Sequence, residues 1–155
     1  MHSLLRSATL IAWALWFGGI MGLFLSVQVL FHQTERSVFL ASAPRLFIAF
    51  ERYQLFLAAA AVLSAFIRRL IFPLPRLTAL CILFSLATIG AVIEPTLITP
   101  RIEALRIQGA THTPEFLRLH GLSMCVYMTV AILLFIAGIA QSIAPTKLVP
   151  DSPVC

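Results

Sequence analysis

Charge is what this chain has least of. Charged residues make up 11% of its 155 positions, against 60% hydrophobic ones. Soluble domains carry about a quarter charged residues, so an ordinary water-soluble fold is excluded. The 11 Lys and Arg outnumber 6 Asp and Glu, for a formal net charge of +5. That excess does not point to nucleic acid, because the arginines flank apolar runs and form no basic stripe with interleaved aromatics. Cysteine is sparse as well. Cys81, Cys125 and Cys155 fall in no CxxC or ligand-like spacing, so neither a zinc module nor a covalently attached haem has its motif. Cys81 and Cys125 read as small buried hydrophobes at different depths. Internal repeats and low-complexity tracts are missing too. No nucleophile stands with a base and an orienting partner: His120 and Ser123 are one helical turn apart but lack a third member, so an enzyme is the less favoured class.

What the chain does have is four long apolar stretches, at 7–31, 46–67, 77–93 and 121–144. Each approaches or exceeds the ~20 residues that cross a bilayer as a helix. The expected fold is all-α: an integral membrane four-helix bundle, with a short interfacial helix at 101–108 between spans three and four. Residues 1–144 form one transmembrane domain, and 145–155 form a polar tail expected to be disordered. The first stretch is too long for a signal-peptide core and lacks an A-x-A-like cleavage site, so it reads as a retained span. Ser42 and Pro44 predict the start of the second helix, after a loop of about a dozen residues. Pro100 is expected to close the third, and Gly109 with 111–114 to separate it from a fourth helix beginning near Glu115. Arg68, Arg69 and Arg76 crowd a short connection, which places both termini in the cytoplasm by the positive-inside rule, at a bacterial inner membrane.

A four-pass hairpin topology brings the remaining charges to one end of the bundle. An ionised side chain inside hydrocarbon costs at least ~2.5–3.5 kcal/mol, so it should be paired. Arg52 and Glu94 are the expected pair, from the start of span two and the end of span three. His120 completes the cluster, with Glu51 and Arg118 at its margin. This cluster reads either as an interhelical clamp or as a polar pocket for a cation, a proton or a headgroup. Gly18, Gly22 and Ser26 repeat at i, i+4, i+8 on span one. They form a helix-packing stripe, expected to serve packing within the bundle, with a homodimer face as the alternative. His120, Met124 and Met128 share the same spacing on span four and offer soft ligands for copper, although such a stripe more often packs. His32 and His120 are a weak haem pair.

Several of these residues carry a resemblance. Trp13, Trp16, Gly18 and Gly19 in span one, Phe47, Phe50 and Tyr53 in span two, Glu94-Pro95, and Phe116 with His120-Gly121-Leu122-Ser123 resemble the transmembrane-protein-205-like family. These are small four-pass membrane proteins carrying a domain of unknown function. The similarity spans 11–140 and implies the fold and the location of the site, but no mechanism. The third loop is much shorter than in the animal members, which implies a compact bacterial-type version. A weaker likeness of layout to copper-resistance-type and haem-pathway four-helix proteins keeps those two cofactors as alternatives. The leading expectation is a non-enzymatic accessory or stabilising subunit of a membrane assembly, in contact with the lipid bilayer and with other subunits or itself. The alternatives are a binder or transporter of a small polar solute, ion or lipid headgroup, and a haem- or copper-binding redox protein.

Overall fold

The computed structural model describes residues 2–142, and the 145–155 tail lies outside them. The described residues form helices joined by short connections, with no strand among them. Its elements are α1 (His2–Gln33), α2 (Arg36–Ile71), α3 (Pro75–Ile93), a π-helical turn (Glu94–Ile98), α4 (Thr99–Ile107) and α5 (Pro114–Ser142). Four runs are long and apolar enough to cross a membrane: Ser3–Gln33, Arg36–Ile71, Pro75–Ile107 and Pro114–Ser142. They fit a polytopic membrane protein.

The connections are shorter than the apolar stretches alone imply. α1 and α2 are separated by Thr34 and Glu35 only, not by a dozen residues. Ser42 and Pro44 do not start α2, because Pro44 lies inside it. A proline there removes the N–H that would bond the carbonyl four residues back, which is that of Leu40. Arg106 Nη1 donates to this Leu40 oxygen at 3.5 Å, so the orphaned acceptor finds a partner on another helix. Pro100 does not close the third span either, since α4 continues it through the π turn. The expected break at Gly109 is present, with φ 71° in the left-handed region that glycine tolerates.

The four long helices form a ring in which α1 packs on α2, α2 on α3 and α3 on α5, with a lighter seam closing α5 onto α1. Trp16, Ile20, Phe84, Leu134 and Tyr127 fill the centre. Small residues set the helix spacing. Ala58, Ala61 and Ala65 on α2 are completely buried, so the backbones of its neighbours come close there. The Gly18/Gly22/Ser26 stripe plays no part in this: all three are exposed, and a Cβ on Gly18 or Gly22 would meet nothing within 4 Å. Packing of that stripe within the bundle is therefore incorrect. The helix turns its larger Trp16, Ile20 and Leu23 inward instead.

The α1–α5 seam is fixed at one point. Trp13 Nε1 donates to the Leu134 carbonyl at 2.7 Å, and the indole lies over Gly138, where a Cβ would come within 2.3 Å of Trp13 Cζ2. Gly138→Ala should therefore lower thermal stability in detergent by about 1–3 kcal/mol, the usual range for overpacking. Gly22→Ala, with open space around it, should leave the midpoint unchanged or raised. Equal losses from both would show that the seam is not where the bundle is tight.

Candidate functional site: two carboxyl groups inside the bundle

The site begins with the π turn. Pro95 and Pro100 both lack an N–H, which disrupts the regular ladder around them, and the Thr99 N–H reaches back five residues to the Glu94 carbonyl. In an α-helix residues i and i+5 point about 140° apart at 3.6 residues per turn. In the π turn they lie nearly above one another. Glu94 and Thr99 thereby present to the same side, toward α2 and α5.

Gly90, one turn before Glu94, sets the distance to α5. A Cβ there would fall 2.6 Å from Val130 Cγ2. With the helices this close, Ser123 Oγ donates to Glu94 Oε2 at 3.2 Å. Glu51, on α2, accepts from Thr99 Oγ1 and, at 3.5 Å, from the Tyr127 hydroxyl. The Tyr127 ring is held by Phe24, Phe47 and Phe50, with ring centroids at 6.3, 5.6 and 6.4 Å.

Both carboxyl groups are deeply enclosed: Glu51 is 4% exposed and Glu94 1%. They are close enough to repel each other, and Glu103 adds to the negative potential at Glu51. No Lys or Arg among the described residues bonds to either. Glu94 Oε1 has no hydrogen-bond partner, nor does either amide atom of Gln54, which is 1% exposed and one turn along α2 from Glu51. The arrangement is a buried cluster of oxygens (two carboxylates and the Thr99, Ser123 and Tyr127 hydroxyls), with the unpartnered Gln54 amide one turn along α2, where each negative charge needs a proton or a cation beside it.

Of the five residues expected to cluster, Glu51 and Glu94 are both buried and near enough to interact electrostatically. Arg52, Arg118 and His120 do not join them, since all three are exposed. The expected Arg52–Glu94 ion pair is incorrect. The buried face of α2 is already centred on Phe50, Glu51 and Gln54, and Arg52, about 100° further round the helix than Glu51, falls outside it. His120 stacks on Phe116, ring centroids 6.1 Å apart and nearly parallel. Its expected partners on the copper stripe, Met124 and Met128, are half-buried and exposed, off the Ser123/Tyr127 face that α5 buries. His32 is exposed in the last turn of α1, against the Phe31 ring. Among the described residues, no group of three or more His, Cys, Asp or Glu is placed to hold a metal ion.

Sequence reasoning missed Thr99, Tyr127 and Gln54 and gave Ser123 the wrong partner. One signal for them was legible. Ser123 and Tyr127 lie at i, i+4 on α5, and two prolines five residues apart follow Glu94. Across the comparisons with known proteins, no family model, curated protein or solved structure matches this chain.

With its guanidinium on the exposed side, Arg52 does not support Glu94. Arg52→Gln should shift stability by no more than about 0.5 kcal/mol, as surface substitutions do, and should leave the effect of Glu94→Gln unchanged in the double variant. A double variant that recovers stability relative to Glu94→Gln alone would restore the ion pair.

Proposed function

We propose that this protein is a four-pass membrane protein that binds a small cation, a proton or a hard metal ion, between Glu51 and Glu94. The observation that carries this reading is the burial of two mutually repelling carboxyl groups with no basic side chain bonded to either among the described residues. Carboxylate, hydroxyl and amide oxygens are hard donors, suited to protons, alkali and alkaline-earth ions rather than to copper. The π turn supports it as well, since such turns concentrate at functional positions. The likeness to the transmembrane-protein-205-like family, the bacterial inner membrane and the cytoplasmic placement of both termini belong to the same proposal. So does an interfacial position for α4. A topology reporter in the 72–74 connection tests the orientation.

The test of cation binding uses the full-length protein in mild detergent, with thermal midpoints measured against added sodium, potassium, magnesium and calcium. Infrared spectra detect the carbonyl band of a protonated carboxyl. At least one cation should raise the midpoint, or the band should be present. Glu94→Gln and Glu51→Gln should each remove the response, while Glu103→Gln retains it. A wild type with neither signal, or a response that survives both substitutions, overturns the reading.

A second reading is favoured by a separate observation. The Gly18/Gly22/Ser26 stripe faces outward with open space above both glycines, and small residues in such a row let another helix approach. It supports an accessory or stabilising subunit of a membrane assembly, in which α1 is the contact helix. Native mass measurement in mild detergent should then give more than one chain, and Gly22→Leu should return it to a single chain. A wild type that is strictly monomeric and copurifies with nothing removes this reading.

A further inference from the structure

The opposite end of the bundle carries the reverse charge. Arg6 at the start of α1, Arg68 near the end of α2 and Arg76 at the start of α3 line one cleft with Leu10, Leu80 and Gln141. The cleft spans about 250 Å³ and is partly open to solvent.

Two of the groups that line it, Arg68 and Gln141, have unpartnered polar atoms. Arg68 is 4% exposed, yet its Nε and Nη1 have no hydrogen-bond partner. Gln141 is 8% exposed, and both of its amide atoms lack partners. Arg6 and Arg76 are near enough to repel Arg68. The neighbouring Arg69 is used differently, because its Nε donates to Thr78 Oγ1 at 2.6 Å and ties α2 to α3. No described carboxylate is available to the cleft. The five glutamates, Glu35, Glu51, Glu94, Glu103 and Glu115, all belong to the other end of the helices or its loops. A buried guanidinium without an anion is strongly unfavourable.

We propose that the Arg6/Arg68/Arg76/Gln141 cleft is an anion site for a phosphate group. Guanidinium forks match the paired oxygens of phosphate and bind them with short, charge-assisted bonds. In this site a phosphate oxygen would meet the unpartnered Arg68 Nε and Nη1 and the Gln141 amide, with Arg6 and Arg76 adding positive charge around it. The cleft lies at the helix ends, the level at which anionic headgroups sit, and basic pockets between membrane helices take such headgroups. Free phosphate presents the same chemistry.

The test uses the full-length protein in mild detergent, with dioctanoyl phosphatidylglycerol and inorganic phosphate as separate probes. Binding is read by native mass spectrometry and by the thermal midpoint. At least one probe should bind and raise the midpoint. A response to the lipid alone identifies a headgroup site, and a response to inorganic phosphate identifies a free-anion site. Arg6→Gln, at an exposed position that leaves the core intact, should weaken binding about tenfold, the value of one charge-assisted contact. Arg68→Gln should abolish the response and, because it removes an uncompensated buried charge, should leave the midpoint without probe unchanged or raised. Arg45→Gln, at the other end, should bind as the wild type does. The proposal is overturned if neither probe binds, or if binding persists unchanged in Arg6→Gln and Arg68→Gln. It is equally overturned if Asp151→Asn destabilises the protein while phosphate and lipid do nothing, because the chain's own tail then supplies the anion.

Discussion

Close approach between helix backbones is the constraint on which the rest of this bundle depends. In lipid, burying an apolar side chain against another helix gains little over leaving it in hydrocarbon, so packing and internal hydrogen bonds must decide which faces meet. Here the decision is made by Ala58, Ala61 and Ala65 on α2, by Gly90 against Val130 and by Gly138 under Trp13. The large exposed residues, such as Phe56, Leu63, Phe66 and Ile132, are as apolar as the buried ones. Hydrophobicity alone therefore does not distinguish inside from outside in these helices.

The same contacts create the carboxyl site. Without the short α3–α5 distance at Gly90, Ser123 would not reach Glu94, and without the π turn Thr99 would point away from Glu51. The turn in turn follows from Pro95 and Pro100. Local backbone chemistry, helix spacing and the polar network are successive consequences of a few small or N–H-free residues. Their positions matter more than any acid–base pairing across the bundle.

This explains what the sequence made legible. Length and composition were enough for four apolar helices and for a polar end containing Glu51 and Glu94. The rotation of each helix was not, because a helix that is hydrophobic all round has no amphipathic stripe to read. Hence Gly18, Gly22 and Ser26 looked like the packing face while α1 in fact buries Trp16, Ile20 and Leu23. Arg52 and Glu51 are adjacent in sequence, and only the phase of α2 decides which faces inward. Proline was read as a boundary at Pro44 and Pro100, yet tertiary contacts carry both helices through. At Pro44 the cost is offset in part by a donor from Arg106, 66 residues from the Leu40 carbonyl that accepts it, which no local rule anticipates.

The two polar ends also have to be neutralised separately. Glu51 and Arg68 are 17 positions apart on one helix, about 25 Å at 1.5 Å per residue. Opposite charges at that distance attract by roughly 0.7 kcal/mol at an effective dielectric constant of 20. That is small beside the ~2.5–3.5 kcal/mol cost of one charge within hydrocarbon. The intervening core offers no relay, since Leu57, Ala58, Ala61, Phe84 and Leu134 are apolar and buried, and Ser64 returns its hydroxyl to the Ala61 carbonyl. The acids at one end cannot serve as counter-ions for the arginines at the other. Each end therefore has to be neutralised locally, and the apolar middle keeps the two requirements independent.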